Sequence, residues 1–206
     1  MKVMLDQETI EVEHPSLAAA LAAGVALAES RGRTIIEVLV DGSPVRGEDL
    51  DNVSNDPLPD AEVRMLSAEP VELVRQSLFD AAEALESACD DHTEIANRFQ
   101  AGADHGQAME LLGSTLSVWQ GVQDVLARGY ALLDMDPDAI ELPAELAQGR
   151  QVSQLLVELG EHLREVRRSL EDQDYASLAD TIGYELEPLA RIWSQVLKLA
   201  AEGCVG

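Results

Sequence analysis

The sequence predicts an α+β protein in two parts, a strand-rich domain over residues 1–68 and an antiparallel four-helix bundle over residues 70–203. Three observations lead there. Strand-like runs and turn signals crowd the first 68 residues. Beyond Pro70 the apolar residues fall into helical spacing, three and four apart, over four stretches of roughly 28–30 residues each. A chain of 206 residues with 46% hydrophobic and 26% charged side chains can also bury a core.

Lys2–Leu5 and Thr9–Glu13 flank the turn-forming Asp6-Gln7-Glu8 and predict a hairpin. The alanine-rich stretch Leu17–Ala28 follows Pro15 and Ser16 and precedes Gly32, which predicts a helix over 16–31 with Ser16 as its N-cap. Thr34–Val40 is a β-branched strand stopped by Asp41-Gly42. A polar connection rich in Pro and Asp leads to Ala61–Ser67, which alternates as a half-buried strand does. This order, strand-strand-helix-strand, a short connection and a last strand, resembles the β-grasp or ubiquitin-like fold over the whole segment.

That fold hosts carriers, adaptors and RNA-binding modules, so it does not assign a role by itself. Sulfur carriers and modifiers of this fold end in a free Gly-Gly, whereas here the last strand runs on into Ala68-Glu69-Pro70; the carrier role is excluded. RNA-associated members need a basic face, and residues 1–68 hold 13 acidic and five basic side chains. A binding or spacer module remains.

In the second part, Pro70 suits a first helical position, with Glu72 in the first turn. Val71, Val74, Leu78, Ala81, Leu85, Ala88, His92, Ile95 and Phe99 form one seam, broken at 100–103. Ala108, Leu112, Leu116, Trp119, Val122, Leu126 and Leu133 form the next, ended by Asp134–Asp138 around Pro137. A third helix is expected from about Pro143, carrying Val152, Leu156, Leu159, Leu163, Val166 and Leu170 to the corner at Asp172-Gln173-Asp174. The fourth runs from Tyr175 through Leu178, Ile182, Leu186, Leu189, Ile192, Val196 and Leu199, with Pro188 expected to free the Tyr184 carbonyl and bend it. Stripes this wide suit a four-helix core.

Fourteen cations against 39 carboxylates leave a net charge of −25. Such a surface repels phosphate backbones and anionic lipid, so neither nucleic acid nor membrane is an expected partner. The charge is spread rather than blocked, which reads as a solubility device or as a surface that steers a basic partner. The apolar run Leu17–Ala28 is too short to span a bilayer and follows Glu11, Glu13 and His14 instead of Lys or Arg, which points to a cytoplasmic chain. Cys89 and Cys204 are far apart and lack CxxC spacing, so a disulfide framework and a structural zinc site are excluded. Cys204 is expected to be an exposed thiol near the terminus, and Trp119 and Trp193 are expected in the core.

The residues suggest little chemistry. There is no phosphate-cradling Gly-rich loop and no Gly-x-Ser-x-Gly. The di-iron bundle signature needs Glu-x-x-His on two helices, and the chain has it only at Glu11–His14, outside the bundle. One weaker layer remains. Counting from the corners places Cys89, His92, Glu161, His162 and Glu185 at similar heights, and Cys89, His92, His162 and Glu185 together could hold zinc or a similar ion. The alternative is a polar layer in which His92 bonds Glu185, a seam residue in need of a partner.

The run Asp174-Tyr175, Leu178-Ala179-Asp180, Tyr184-Glu185-Leu186, Pro188-Leu189 and Trp193 resembles the last helix of a family of small acidic bacterial proteins. Their chains pair a β-grasp-like start with a helical remainder and have no assigned activity. The resemblance is strongest over 172–193. It implies the two-part architecture and a joint role for Tyr184, Glu185, Pro188 and Trp193, either mechanical, with Pro188 opening the helix and Tyr184 or Glu185 satisfying the exposed groups, or in binding, with the bend shaping a groove for a partner helix.

The resulting expectation is a non-enzymatic cytoplasmic adaptor that binds another protein, in one form a chaperone holding an apolar helix. No cofactor is implied. A metal-binding or enzymatic bundle built on the Cys/His/Glu layer is the contrasting reading, and self-association through an unfilled seam is a third.

Overall fold

The computed structural model describes residues 1–46, 49, 53, 55–102 and 105–204. Parts of the Pro- and Asp-rich connection, residue 103 and Asp104 at the first helical corner, and the last two residues of the terminus lie outside them. The chain divides into two compact units, Met1–Leu73 and Val74–Gly206.

The first unit is a mixed sheet with one helix packed on it. Its elements are β1 (Lys2–Leu5), β2 (Glu8–Ile10), α1 (Leu17–Ser30), β3 (Thr34–Val40), β4 (Ser43–Pro44) and β5 (Glu62–Ala68). Among the described residues the sheet order is β2-β1-β5-β3-β4. β1 lies parallel to β5, Val3 opposite Val63, and the remaining pairs are antiparallel. Alternation along β5 buries Val63, Met65 and Ser67, and the two apolar residues meet Val3, Leu5, Val38 and the small residues Ala20 and Ala28 of α1. Gly24 lets α1 come this close, because an added Cβ would collide with the Met65 thioether. Ser16 caps α1 by accepting the Ala19 N–H at 3.3 Å, and Gly32 ends the turn beyond it at φ 66°. The two-residue β4 falls where the sequence predicts only a connection; at that length no side-chain period exists to reveal it.

One polar knot ties the strand ends. Asp6, at φ 54° after β1, accepts the Ser67 N–H and the Ser67 hydroxyl, both at 2.8 Å. Arg33 donates to the Ser67 hydroxyl oxygen at 2.7 Å and lies 4.0 Å from Asp6. The Ser67 N–H holds the Asp6 carboxyl below the usual carboxylate range; burial opposes it, and the Ser67 hydroxyl and then Arg33 and Arg31 lower it further by smaller amounts.

The second unit is helical. It contains α2 (Pro70–Gln100, from Val74 onward), α3 (His105–Leu133), a 3-10 turn (Pro137–Ala139), the one-turn α4 (Ala144–Ala147), α5 (Val152–Glu171), α6 (Tyr175–Asp180), a π turn (Thr181–Leu186) and α7 (Glu187–Gly203). Two helical boundaries differ from expectation. The third long helix starts at Val152, not near Pro143. Gln148 and Gly149 adopt φ 51° and 82°, which ends α4, and Gln151 with Gln154 builds a capping box that starts α5 afresh. The last helix is interrupted by a wide turn instead of a simple bend. Pro188 lacks an N–H and crowds the carbonyl four residues back, and the turn before it has widened so that the Glu187 N–H bonds Ile182 O.

α2 runs antiparallel to α3, with His92 against Trp119 and Arg98 bonded to Gln107. It also runs antiparallel to the last helix, with Ala96 beside Gly183 and Glu86 paired to Lys198. Phe99, His105 and Tyr175 close one end: the Phe99 and Tyr175 rings stack at 5.4 Å and His105 lies 4.4 Å from Tyr175.

Candidate functional site

His92 sits on the buried seam of α2 with none of its surface exposed. Its Nδ1 is 2.6 Å from the Ala88 carbonyl, one turn back, and Trp119 Nε1 donates to its Nε2 at 3.0 Å. A carbonyl can only accept and an indole N–H can only donate, so the imidazole is neutral with its proton on Nδ1. Burial pushes its pKa below the ordinary imidazole value, in agreement with that neutral form. Both ring nitrogens are thereby committed, and a metal would have to displace one of these bonds.

The other members of the candidate layer go elsewhere. Cys89 is buried on the same helix, its thiol directed to Leu85 O at 3.4 Å and its pKa pushed up by burial. His162 is half-buried on α5, whereas Glu161 and Glu185 are exposed. A strict helical period places Glu185 on the seam; the π turn widens the spiral there, so Ile182 and Leu186 take the core and Glu185 turns outward. Among the described residues no three His, Cys, Asp or Glu side chains are grouped to hold a metal ion. Cys204, expected to be exposed, is buried, and its N–H bonds Ala200 O at 3.1 Å to close α7.

The four motif residues of the last helix also separate. Tyr184 is 68% exposed, and Glu185 and Pro188 are exposed beside it. Trp193 is fully buried. Tyr184, Glu185 and Pro188 therefore lie at the surface and Trp193 lies in the core. Another buried aromatic is Tyr130, whose hydroxyl pKa burial pushes up to about 12.

Among the described residues, grooves open on this unit. One, of about 620 Å³, runs between α4 and α7. Pro143 and Leu146 form one wall, and Ile192 and Leu199 the other. Glu145 and Glu202 stand exposed on its rim with Gln148 and Gln195. Lys198 also lines it, with its ammonium 2.6 Å from Glu86. The second groove, of about 540 Å³, lies between α3 and α5 over Leu116, Trp119, Leu163 and Val166. Sequence reasoning missed both. Of the apolar stripe expected in the core, Leu189, Val196 and Trp193 are buried, whereas Ile192 and Leu199 are only half-buried. The signal was an apolar arc on α7 wider than one core face needs.

A mixed sheet bearing a helix, followed by a helical unit with grooves in its surface, defines the class. Residues 76–196 match the family model described as a domain of unknown function, DUF8042. The match covers more than half of the chain, which therefore belongs to that family, and it falls wholly within the helical unit. No curated protein and no solved structure matches the chain. Among the described residues no helix is long and apolar enough to cross a membrane.

Proposed function

We propose that the protein is a non-enzymatic protein-interaction module, an adaptor or helix-holding chaperone acting in the cytoplasm. The single observation that carries the reading is the groove between α4 and α7, about 620 Å³ with apolar walls and a polar rim. In finer terms the sheet unit is a β-grasp, a reading supported by its central parallel pair and single packed helix. The helical unit is a four-helix bundle of α2, α3, α5 and the interrupted α6–α7, which the antiparallel neighbours of α2 support. The contrasting Cys/His/Glu chemistry loses its support where His92 gives both nitrogens to Ala88 and Trp119. Native-lysate capture with the wild type and a Leu199→Gln variant side by side tests the adaptor role. The expected result is one partner retained at several salt concentrations by the wild type and lost by the variant; recovery of nothing above background overturns it.

A further inference from the structure

We propose that the groove between α4 and α7 receives a cationic amphipathic helix of a partner protein. The inference rests on the interaction reading above and supplies the partner's chemistry. Shape comes first. Ile192, Gln195, Leu199 and Glu202 recur three and four residues apart and so form one straight stripe along α7. Ten residues at 1.5 Å rise make the stripe about 15 Å long, the length of about three turns of a docked helix. Leu146 faces the stripe from α4, so a helix lying there meets apolar side chains on both flanks.

Charge selects the occupant. Glu145 and Glu202 are exposed at the rim, and the ammonium of Lys198 is cancelled by Glu86. The chain that leads into the α4 wall carries Asp134, Asp136, Asp138 and Glu141 with no cation. An apolar floor under a carboxylate rim is complementary to a helix with Leu or Ile on one face and Lys or Arg along its edges. A second copy of this chain would bring another −25 to the same place. The groove between α3 and α5 has no such bias, because its Arg167 is paired with Glu171 at 2.8 Å.

The test uses the full chain and a fluorescent Leu/Lys peptide of about 18 residues with Leu at helical spacing, read by anisotropy in about 0.15 M salt. Two controls accompany it, a scrambled peptide of the same composition and a patterned Leu/Glu peptide. The patterned Leu/Lys peptide is expected to bind at least about tenfold tighter than either control. Ile192→Gln and Leu199→Gln, each half-buried and checked for helicity by circular dichroism, should weaken it about tenfold. Glu145→Gln with Glu202→Gln should weaken it about fivefold, and Val157→Gln, at a 59% exposed site on α5, should leave it unchanged. Equal binding of the scrambled or the Leu/Glu peptide overturns the cationic-helix assignment. Binding that ignores the floor and rim variants overturns the groove assignment yet leaves an interaction protein standing. Failure of both patterned peptides, together with an empty lysate capture, removes the adaptor reading as well.

Discussion

Trp119 and His92 stand 27 residues apart in sequence on neighbouring helices and hold one another, and removing the indole N–H leaves the imidazole Nε2 buried with no donor. Trp119→Phe should therefore cost about 1–3 kcal/mol of stability, measured by urea unfolding. The same site gives a pH signature. An unfolded His takes up a proton as pH falls through about 6.5, while burial holds the folded His92 below that value. Its contribution is complete above about pH 6.5 and is lost as pH falls toward the folded pKa. Stability between pH 7 and 5.5 should accordingly fall less in His92→Gln than in the wild type, compared by unfolding at matched pH values. Asp6 acts lower on the scale, its contribution present above the usual carboxylate range and lost as acid protonates it. Asp6→Asn should cost about 1 kcal/mol at neutral pH, a modest figure because water screens a half-exposed carboxylate, and the difference should vanish in acid. The seam position of His92 was legible from spacing alone. Its partner was not, because nothing local tells a chain which distant indole will face a given imidazole.

At the level of elements, glycines inside helices separate packing from propensity. Gly183 lies where an added Cβ would stand 3.0 Å from the Ala96 Cβ, a rigid neighbour that cannot swing aside. Gly113 and Gly121, on the exposed face of α3, have open space around them. Gly113→Ala and Gly121→Ala should each stabilise by about 0.5–1 kcal/mol, whereas Gly183→Ala should destabilise despite its better propensity. Thermal melts of the three variants decide this. Thr34–Val40, the Ser16 cap and the seams of α2 and α3 were readable because each depends on residues close in sequence. The start of α5 and the exposure of Glu185 were not, since a capping box at Gln151 and a widened turn before Pro188 shift boundaries and phase that a strict period carries straight through.

For the whole molecule the governing quantity is the charge of −25. The ion pairs are mostly exposed, many of them three or four residues apart on one helix, such as Arg98–Glu94 and Arg167–Glu171, and pairs of that kind contribute little. Self-repulsion should dominate, so raising sodium chloride from about 0.02 to 0.5 M should raise the melting temperature in a calorimetric scan. Acidity and the division into a strand-rich and a helical part were open to reading in the letters. The grooves were not, because a hollow exists only where two distant walls fail to meet. The wide turn at Thr181–Leu186 has its own consequence for the length of the chain. A π turn is an ordinary helix holding one residue too many, so the polypeptide carries a spare. Excising Tyr184, which points into water, would let the spiral close with Ile182 and Trp193 still on the same side, whereas excising Ala176 about two turns earlier would rotate everything after it out of place.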